Sequence, residues 1–134
     1  MPIAPATDLP LILVIEDDPV HQNLIRLTLE KLCSFVFVET VDGATKLLDT
    51  MLLDKSKHKN VLAILFDGGL YSGGGHNTGE LVRIAIEFHG FKGPTIAYSA
   101  THNKALRAAG CKYSVNKGGV RNLACLMEFL IATR

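Results

Sequence analysis

The sequence predicts an α/β domain built on a parallel β-sheet, and three observations carry that prediction. Along its 134 residues, five short apolar runs alternate with five segments of helical periodicity. Two of the runs, LILVI (11–15) and VLAILF (61–66), are apolar at every position, as a strand is when helices cover both of its faces. Several runs also end on a polar or charged residue, where open parallel sheets place their sites.

Composition narrows the class of protein. Apolar residues make up 48% of the chain and charged residues 20%, which is globular rather than disordered. A chain of this length buries roughly two-thirds of its unfolded surface, so the core needs neither metal nor disulfide. Fourteen basic and thirteen acidic residues leave a formal charge of +1, too little to attract nucleic acid or an anionic membrane. No apolar run is long enough to span a bilayer, and the N-terminus lacks a signal-peptide pattern. Cys33, Cys111 and Cys125 form no CxxC motif and no even set, as expected of reduced thiols in a cytoplasmic protein. Cys111 and Cys125 are read as core or boundary thiols.

Residues 1–10, with Pro2, Pro5 and Pro10, read as a tail, and residues 11–134 as the domain. The first strand, 11–15, runs into Glu16-Asp17-Asp18-Pro19. Pro19 suits a helix start, and Asp17 or Asp18 suits its cap. From Val20 to Leu32, apolar residues at 20, 24 and 27 and at 25, 29 and 32 form a wide helical stripe. FVFV (35–38) is the second strand. Ala44, Leu47, Leu48 and Met51 mark the second helix. KSKHKN (55–60) reads as a polar connection and its basic residues as a solvated cluster. The third strand, 61–66, ends at Asp67. Leu81, Ile84, Ala85 and Phe88 define the third helix, announced by Asn77 with Glu80 and stopped near Gly90. TIAY (95–98) is the fourth strand, ending at Ser99. Residues 103–109 make about two helical turns. YSV (113–115) is the fifth strand, and Leu123, Leu126, Met127 and Leu130 define the last helix.

Right-handed crossovers would bring the strand ends to one edge. Glu16, Asp17, Asp67, Ser99 and Lys117 would converge there. Carboxylates at close range raise each other's pKa, and a hard divalent cation with oxygen ligands relieves them. Lys117 adds a positive charge that suits an incoming oxyanion.

With these residues in place, the chain resembles the receiver domain of two-component response regulators. The resemblance spans about residues 9–132 and rests on LILVIEDDP, ILFD, TIAYSA, AAGCKYSVNK and their order. It implies a flavodoxin-like doubly wound sheet of five strands in the order 2-1-3-4-5. It implies that Asp67 accepts a phosphoryl group from a phosphohistidine on a histidine kinase or histidine phosphotransfer protein. It further implies Mg²⁺ held directly by Asp17, directly or through water by Glu16, by Asp67, and by the backbone carbonyl of Gly69. Ser99, Lys117 and the Gly68 backbone would contact the phosphoryl group. Phosphoryl transfer of this kind needs alignment and charge neutralisation more than covalent help, so the chain would be an acceptor rather than an enzyme. The output would be altered binding of a downstream partner, with no direct contact to nucleic acid or membrane. The last helix ends near Ile131, so the chain is expected to hold no output domain, and Met1 favours a stand-alone regulator over an excised receiver.

Three positions depart from the family. Gly118 and Gly119 follow Lys117 where the family has a proline after a cis bond, which leaves the Lys117–Gly118 geometry open. The family's switch pairs the hydroxyl, here Ser99, with an aromatic three residues before the lysine. Ser114 stands there, and Tyr113, one residue earlier, would face the other side of the strand. The usual relay is therefore expected not to operate. The fourth helix is also about one turn short. Lys117 is expected to sample positions outside the pocket until phosphorylation orders its glycine-flanked turn. The stretch DGGLYSGGGHNTG (67–79) lacks a P-loop signature and reads as a surface loop or, alternatively, a lid, with His76 solvated.

Two rivals remain. A pseudo-receiver would share the fold and bind a partner without phosphorylation. A small phosphatase or flavin protein of like topology fits worse: Gly69 stands where such a phosphatase has its second acid, and acids follow the first strand where a flavin protein binds phosphate.

Overall fold

The computed structural model describes residues 9–68 and 77–134, with Asn77 described by its backbone only. Expectations for residues 1–8, for Gly69, His76 and the rest of the segment 69–76, and for an Asn77 cap lie outside the described residues.

Five strands form one sheet: β1 (Leu11–Ile15), β2 (Ser34–Val38), β3 (Val61–Phe66), β4 (Thr95–Ser99) and β5 (Tyr113–Asn116). Their order is β2-β1-β3-β4-β5, and every neighbouring pair is parallel. The helices are α1 (Pro19–Leu29), α2 (Val41–Leu52), α3 (Asn77–Arg83), α4 (Asn103–Ala109) and α5 (Val120–Thr133). The polar segment Lys55–Asn60 is a 3₁₀ helix rather than a plain connection, capped by the Asp54 carboxylate, which accepts from the Ser56 N–H.

Two apolar layers sandwich the sheet. Ile12, Val14, Ile96 and Tyr98 point to one face, where Ile25 and Leu29 of α1 and Leu123 and Met127 of α5 cover them. Leu13, Ile15, Ile64 and Phe66 point to the other, under Leu48 and Leu52 of α2, Leu81 and Val82 of α3 and Leu106 of α4. Every residue of β3 is buried, as its unbroken apolar run requires. Burying each large side chain contributes about 1.5–3 kcal/mol, which makes β1 and β3 the stiff centre on which the site stands.

The helices correct the sequence reading in four places. The α1 stripe is narrower than expected: Ile25 and Leu29 are buried, but Val20, Leu24 and Leu27 are 65%, 39% and 60% exposed. One helix packed on one sheet face and on α5 has room to bury only a single stripe. α1 also stops at Leu29, and Leu32 and Cys33 return in a turn, their N–H groups donating to the Leu29 carbonyl. Past Arg83 the third helix continues as a π turn over Ile84–Phe88, closed by the His89 N–H donating to the Ile84 carbonyl at 2.9 Å. The wider winding rotates Phe88 out to solvent, 72% exposed, and turns His89 and Phe91 inward. Gly90 follows with φ +69° and ends the element as expected. Finally, Cys125 is exposed on α5 rather than at the core, while Cys33 and Cys111 are buried. Leu123, Met127 and Leu130 already fill the inward stripe of α5, and Cys125 falls between them on the outer side.

Candidate functional site: an acidic cleft at the carboxyl edge of the sheet

β1 and β3 are neighbours, so their final residues meet. The Asp67 N–H donates to the Ile15 carbonyl at 2.9 Å, and the Glu16 N–H donates to the Val38 carbonyl at 3.0 Å. The ladder thus carries one residue beyond each strand and sets Asp67 beside Glu16. Asp18, not Asp17, caps α1: its Oδ1 accepts from the Val20 N–H at 2.9 Å, with Pro19 next in line. That leaves Asp17 between strand and helix, lining the cleft. Glu16, Asp17 and Asp67 each offer an oxygen, all within 4.8 Å of one another.

Glu16 is fully buried and unusually well held. Its Oε2 accepts from the Asp18 N–H at 3.1 Å, and its carbonyl accepts from Gln22 Nε2 at 2.6 Å. Burial pushes its carboxyl from 4.5 up to about 7; the Lys117 and Asp18 hydrogen bonds pull it down, and the Asp67 charge pushes it up further. Lys117 comes from the end of β5. Its Nζ lies 2.9 Å from Glu16 Oε1, 3.1 Å from Glu16 Oε2 and 3.2 Å from Asp67 Oδ1. Burial works to lower the Lys117 pKa, but the hydrogen bond and charge of Glu16, with those of Asp67, outweigh it and leave it raised. The sequence reading has Lys117 sampling positions outside the pocket; in the structure of the unmodified site it sits inside, where two carboxylates supply its counter-charge.

Ser99 closes the fourth side. Its N–H donates to Asn103 Oδ1 at 2.9 Å, and its Oγ accepts from the N–H groups of Thr101 and His102 at 3.3 and 3.1 Å. Asn103 in turn donates through Nδ2 to the Val115 carbonyl at 3.0 Å, tying the start of α4 to β5. The Ser99 Oγ also lies 3.5 Å from His102 Nδ1, a nitrogen that Thr101 Oγ1 approaches more closely at 3.0 Å, so the hydroxyl lines the cleft beside the His102 ring. Gly68 is buried directly under His102: a Cβ on Gly68 would collide with His102 Cβ and stand 3.0 Å from Ser99 Oγ.

The structure thus gathers Glu16, Asp17, Asp67, Gly68, Ser99 and Lys117 in one place. Tyr113 is not among them; it is half-buried against the α1/α5 layer, on the other side of the strand from exposed Ser114. No peptide bond among the described residues is cis, so Lys117–Gly118 is trans. Two residues escaped the sequence reading. His102 lines the cleft, and its only sequence signal is its place three residues after Ser99. Tyr98 is fully buried, and its hydroxyl accepts from the Gly118 N–H at 3.1 Å. Strand alternation put it opposite Ala97 and Ser99, and that parity could have flagged it.

Three carboxylate oxygens grouped in this way, an ammonium and a hydroxyl donor suit one hard divalent cation and one oxyanion. No family model and no curated protein matches the chain in sequence. Solved structures do match. The receiver domain of a sensor histidine kinase from Pseudomonas aeruginosa, with a magnesium ion coordinated in its active-site cleft, superposes with a TM-score of 0.71 and 22% identity, covering 92% of this chain and 98% of that one. The receiver domain of a histidine kinase from Arabidopsis thaliana, complexed with Mg²⁺ and BeF₃⁻, gives a TM-score of 0.72 at 16% identity over 92% and 90% of the two chains. A CheY-like response-regulator receiver domain from Methanospirillum hungatei gives 0.70 at 19% identity over 92% and 95%. The chain has the receiver-domain fold.

Proposed function

We propose that this chain, with its receiver-domain fold, is a phosphoacceptor in a two-component phosphorelay. It takes a phosphoryl group from the phosphohistidine of a histidine kinase or histidine phosphotransfer protein onto Asp67. The observation that carries this reading is the placement of Asp67 at the end of β3, within one cation's reach of Glu16 and Asp17 and 3.2 Å from Lys117.

Glu16, Asp17 and Asp67 are the residues that would hold Mg²⁺, which when bound supplies neutralising charge for the phosphoryl oxygens. Hard oxygen ligands on three carboxylates fit that ion. The reaction is a transfer between two proteins: the P–N bond to the partner's imidazole breaks as the P–O bond to an Asp67 oxygen forms. Lys117 is already beside that oxygen and needs only to shift its pairing from Glu16 and Asp67 to the new oxyanion. The Ser99 O–H donates to another phosphoryl oxygen. The chain on this reading is a stoichiometric acceptor, not an enzyme, beyond its own phosphoryl uptake and loss.

The donor must reach Asp67 from outside. Pro19 at the start of α1 lines the cleft, and Val20, Leu24 and Leu27 continue from it as an exposed apolar stripe. A partner helix laid on that stripe brings its phosphohistidine to the cleft mouth, and apolar contact supplies the affinity. A cytoplasmic location belongs to the same reading. Its support is a set of free cysteines and, among the described residues, no helix long and apolar enough to cross a membrane.

A second reading is a pseudo-receiver that binds its partner without phosphorylation. Ser114 in place of the switch aromatic favours it. Incubation with acetyl phosphate and Mg²⁺, followed by intact-mass measurement, separates the two. The acceptor gains one phosphoryl mass and Asp67→Asn gains none. No gain in the wild type, or an equal gain in the variant, overturns the acceptor reading.

A further inference from the structure

We infer that Tyr98 is the positioning residue for Lys117, holding through its hydroxyl the turn that aims the ammonium at Asp67. The inference rests on the acceptor reading for its functional consequence, but its geometry stands alone. Lys117 is followed by Gly118 and Gly119, a sequence that by itself leaves the turn loose. In the structure three successive amides are nevertheless fixed. The Lys117 N–H donates to the Ser99 carbonyl at 3.3 Å, the Gly118 N–H to the Tyr98 hydroxyl at 3.1 Å, and the Gly119 N–H to the Asn116 carbonyl at 2.9 Å. Two of these acceptors are backbone. Tyr98 is the only side chain of the three.

Tyr98 is built for this reach. It pairs with Val115 across the β4–β5 ladder and lies on the α1/α5 face, with no exposed surface. His21 of α1 meets its ring edge-on, with ring centroids 6.4 Å apart and planes at 77°, which fixes the ring from the other side. Gly118 has φ +95°, a backbone angle that residues with a side chain rarely adopt, and the chain turns there directly after the amide that Tyr98 holds. Crowding is not what calls for glycine there, since nothing lies within 4 Å of where a Cβ would be. Because Tyr98 directly precedes Ser99, the end of one strand carries both the hydroxyl at the cleft and the anchor of the lysine turn. Any movement of β4 at Ser99 is thereby transmitted to Lys117.

Tyr98→Phe removes the hydroxyl and keeps the ring. One lost hydrogen bond to a part-buried amide corresponds to about a tenfold effect. We expect Tyr98→Phe to slow phosphoryl uptake from acetyl phosphate about tenfold, and to slow it less than twofold further when Lys117 is already Ala. A merely structural role would slow both backgrounds alike, so equal slowing overturns the inference, as does no slowing at all. If the wild type takes up no phosphoryl group, the acceptor reading falls, and a second arm still decides the positioning role. There, Tyr98→Phe should speed Gly118 amide exchange about tenfold and move the Asp67 carboxyl ¹³C shift toward its value in Lys117→Ala. An unmoved Asp67 shift in a folded Tyr98→Phe protein overturns it.

Discussion

Lys117 Nζ lies 3.2 Å from Asp67 Oδ1, although the two residues come from strands that do not touch. The contact spans β4 and links the two halves of the cleft. Its ammonium stands where a bound cation would also place positive charge. Lys117→Ala should therefore raise Mg²⁺ affinity several-fold by calorimetry, because a repulsive neighbour is gone. The same variant should lose about 1–3 kcal/mol of folding stability, since buried Glu16 and Asp67 oxygens are left without their donor. Unchanged Mg²⁺ affinity would mean that the cation sits clear of the lysine.

Glu16 gives the fold a pH dependence of determinate sign. Its carboxyl is held at about 7, against 4.5 when unburied. Between those values the folded state binds more protons than the unfolded one, so stability falls as pH rises. The contribution is complete below about 4.5 and is lost by about 7, at most about 3 kcal/mol. Urea titrations of the metal-free protein from about pH 5 to pH 8 should show that decline, and Glu16→Gln should flatten it. A wild-type curve that rises across this range would contradict the burial argument.

The sheet was legible because the two fully apolar runs, 11–15 and 61–66, have the pattern of strands covered on both faces, whereas the strand order came only from the family resemblance. The acidic half of the cleft was legible too, since Glu16, Asp17 and Asp67 sit directly at the ends of those runs. What periodicity could not reveal was winding and partners. Phe88 obeys the α-helical spacing of the third helix, yet a π turn rotates it to solvent, and no residue type announces that turn. Val20, Leu24 and Leu27 are apolar and regularly spaced, but sequence alone does not say which of two stripes faces the sheet. Tyr98 and Gly118 lie 20 residues apart, and only the packed strands bring them within hydrogen-bonding distance.

Gly68 is predicted to be intolerant of any side chain. A Cβ there would collide with His102 Cβ and lie 2.8 Å from its Cγ. Gly68→Ala should destabilise the protein by about 1–3 kcal/mol, read as a lower melting temperature. His102→Ala should not rescue it, because alanine keeps the colliding atom. His102→Gly should recover part of the loss. Rescue by alanine would place the strain elsewhere than at that Cβ.

Gly118 separates two requirements that a single substitution usually merges. At φ +95° with open space around it, alanine meets no neighbour and faces only the unfavourable backbone angle, about 1–3 kcal/mol. Proline, the residue that follows the lysine in the resembling family, fails on a second count. Its ring fixes φ near −65°, and it has no N–H to donate to Tyr98. Gly118→Pro must therefore rebuild the turn, and with it the approach of Lys117 to Asp67. Urea unfolding should rank wild type above Gly118→Ala and Gly118→Ala above Gly118→Pro. The Asp67 carboxyl ¹³C shift should stay near the wild-type value in the alanine variant, where the Tyr98 bond survives, and depart from it in the proline variant. A proline variant as stable as wild type, with an unmoved Asp67 shift, would show that the lysine is held from its side-chain partners alone and owes nothing to the turn.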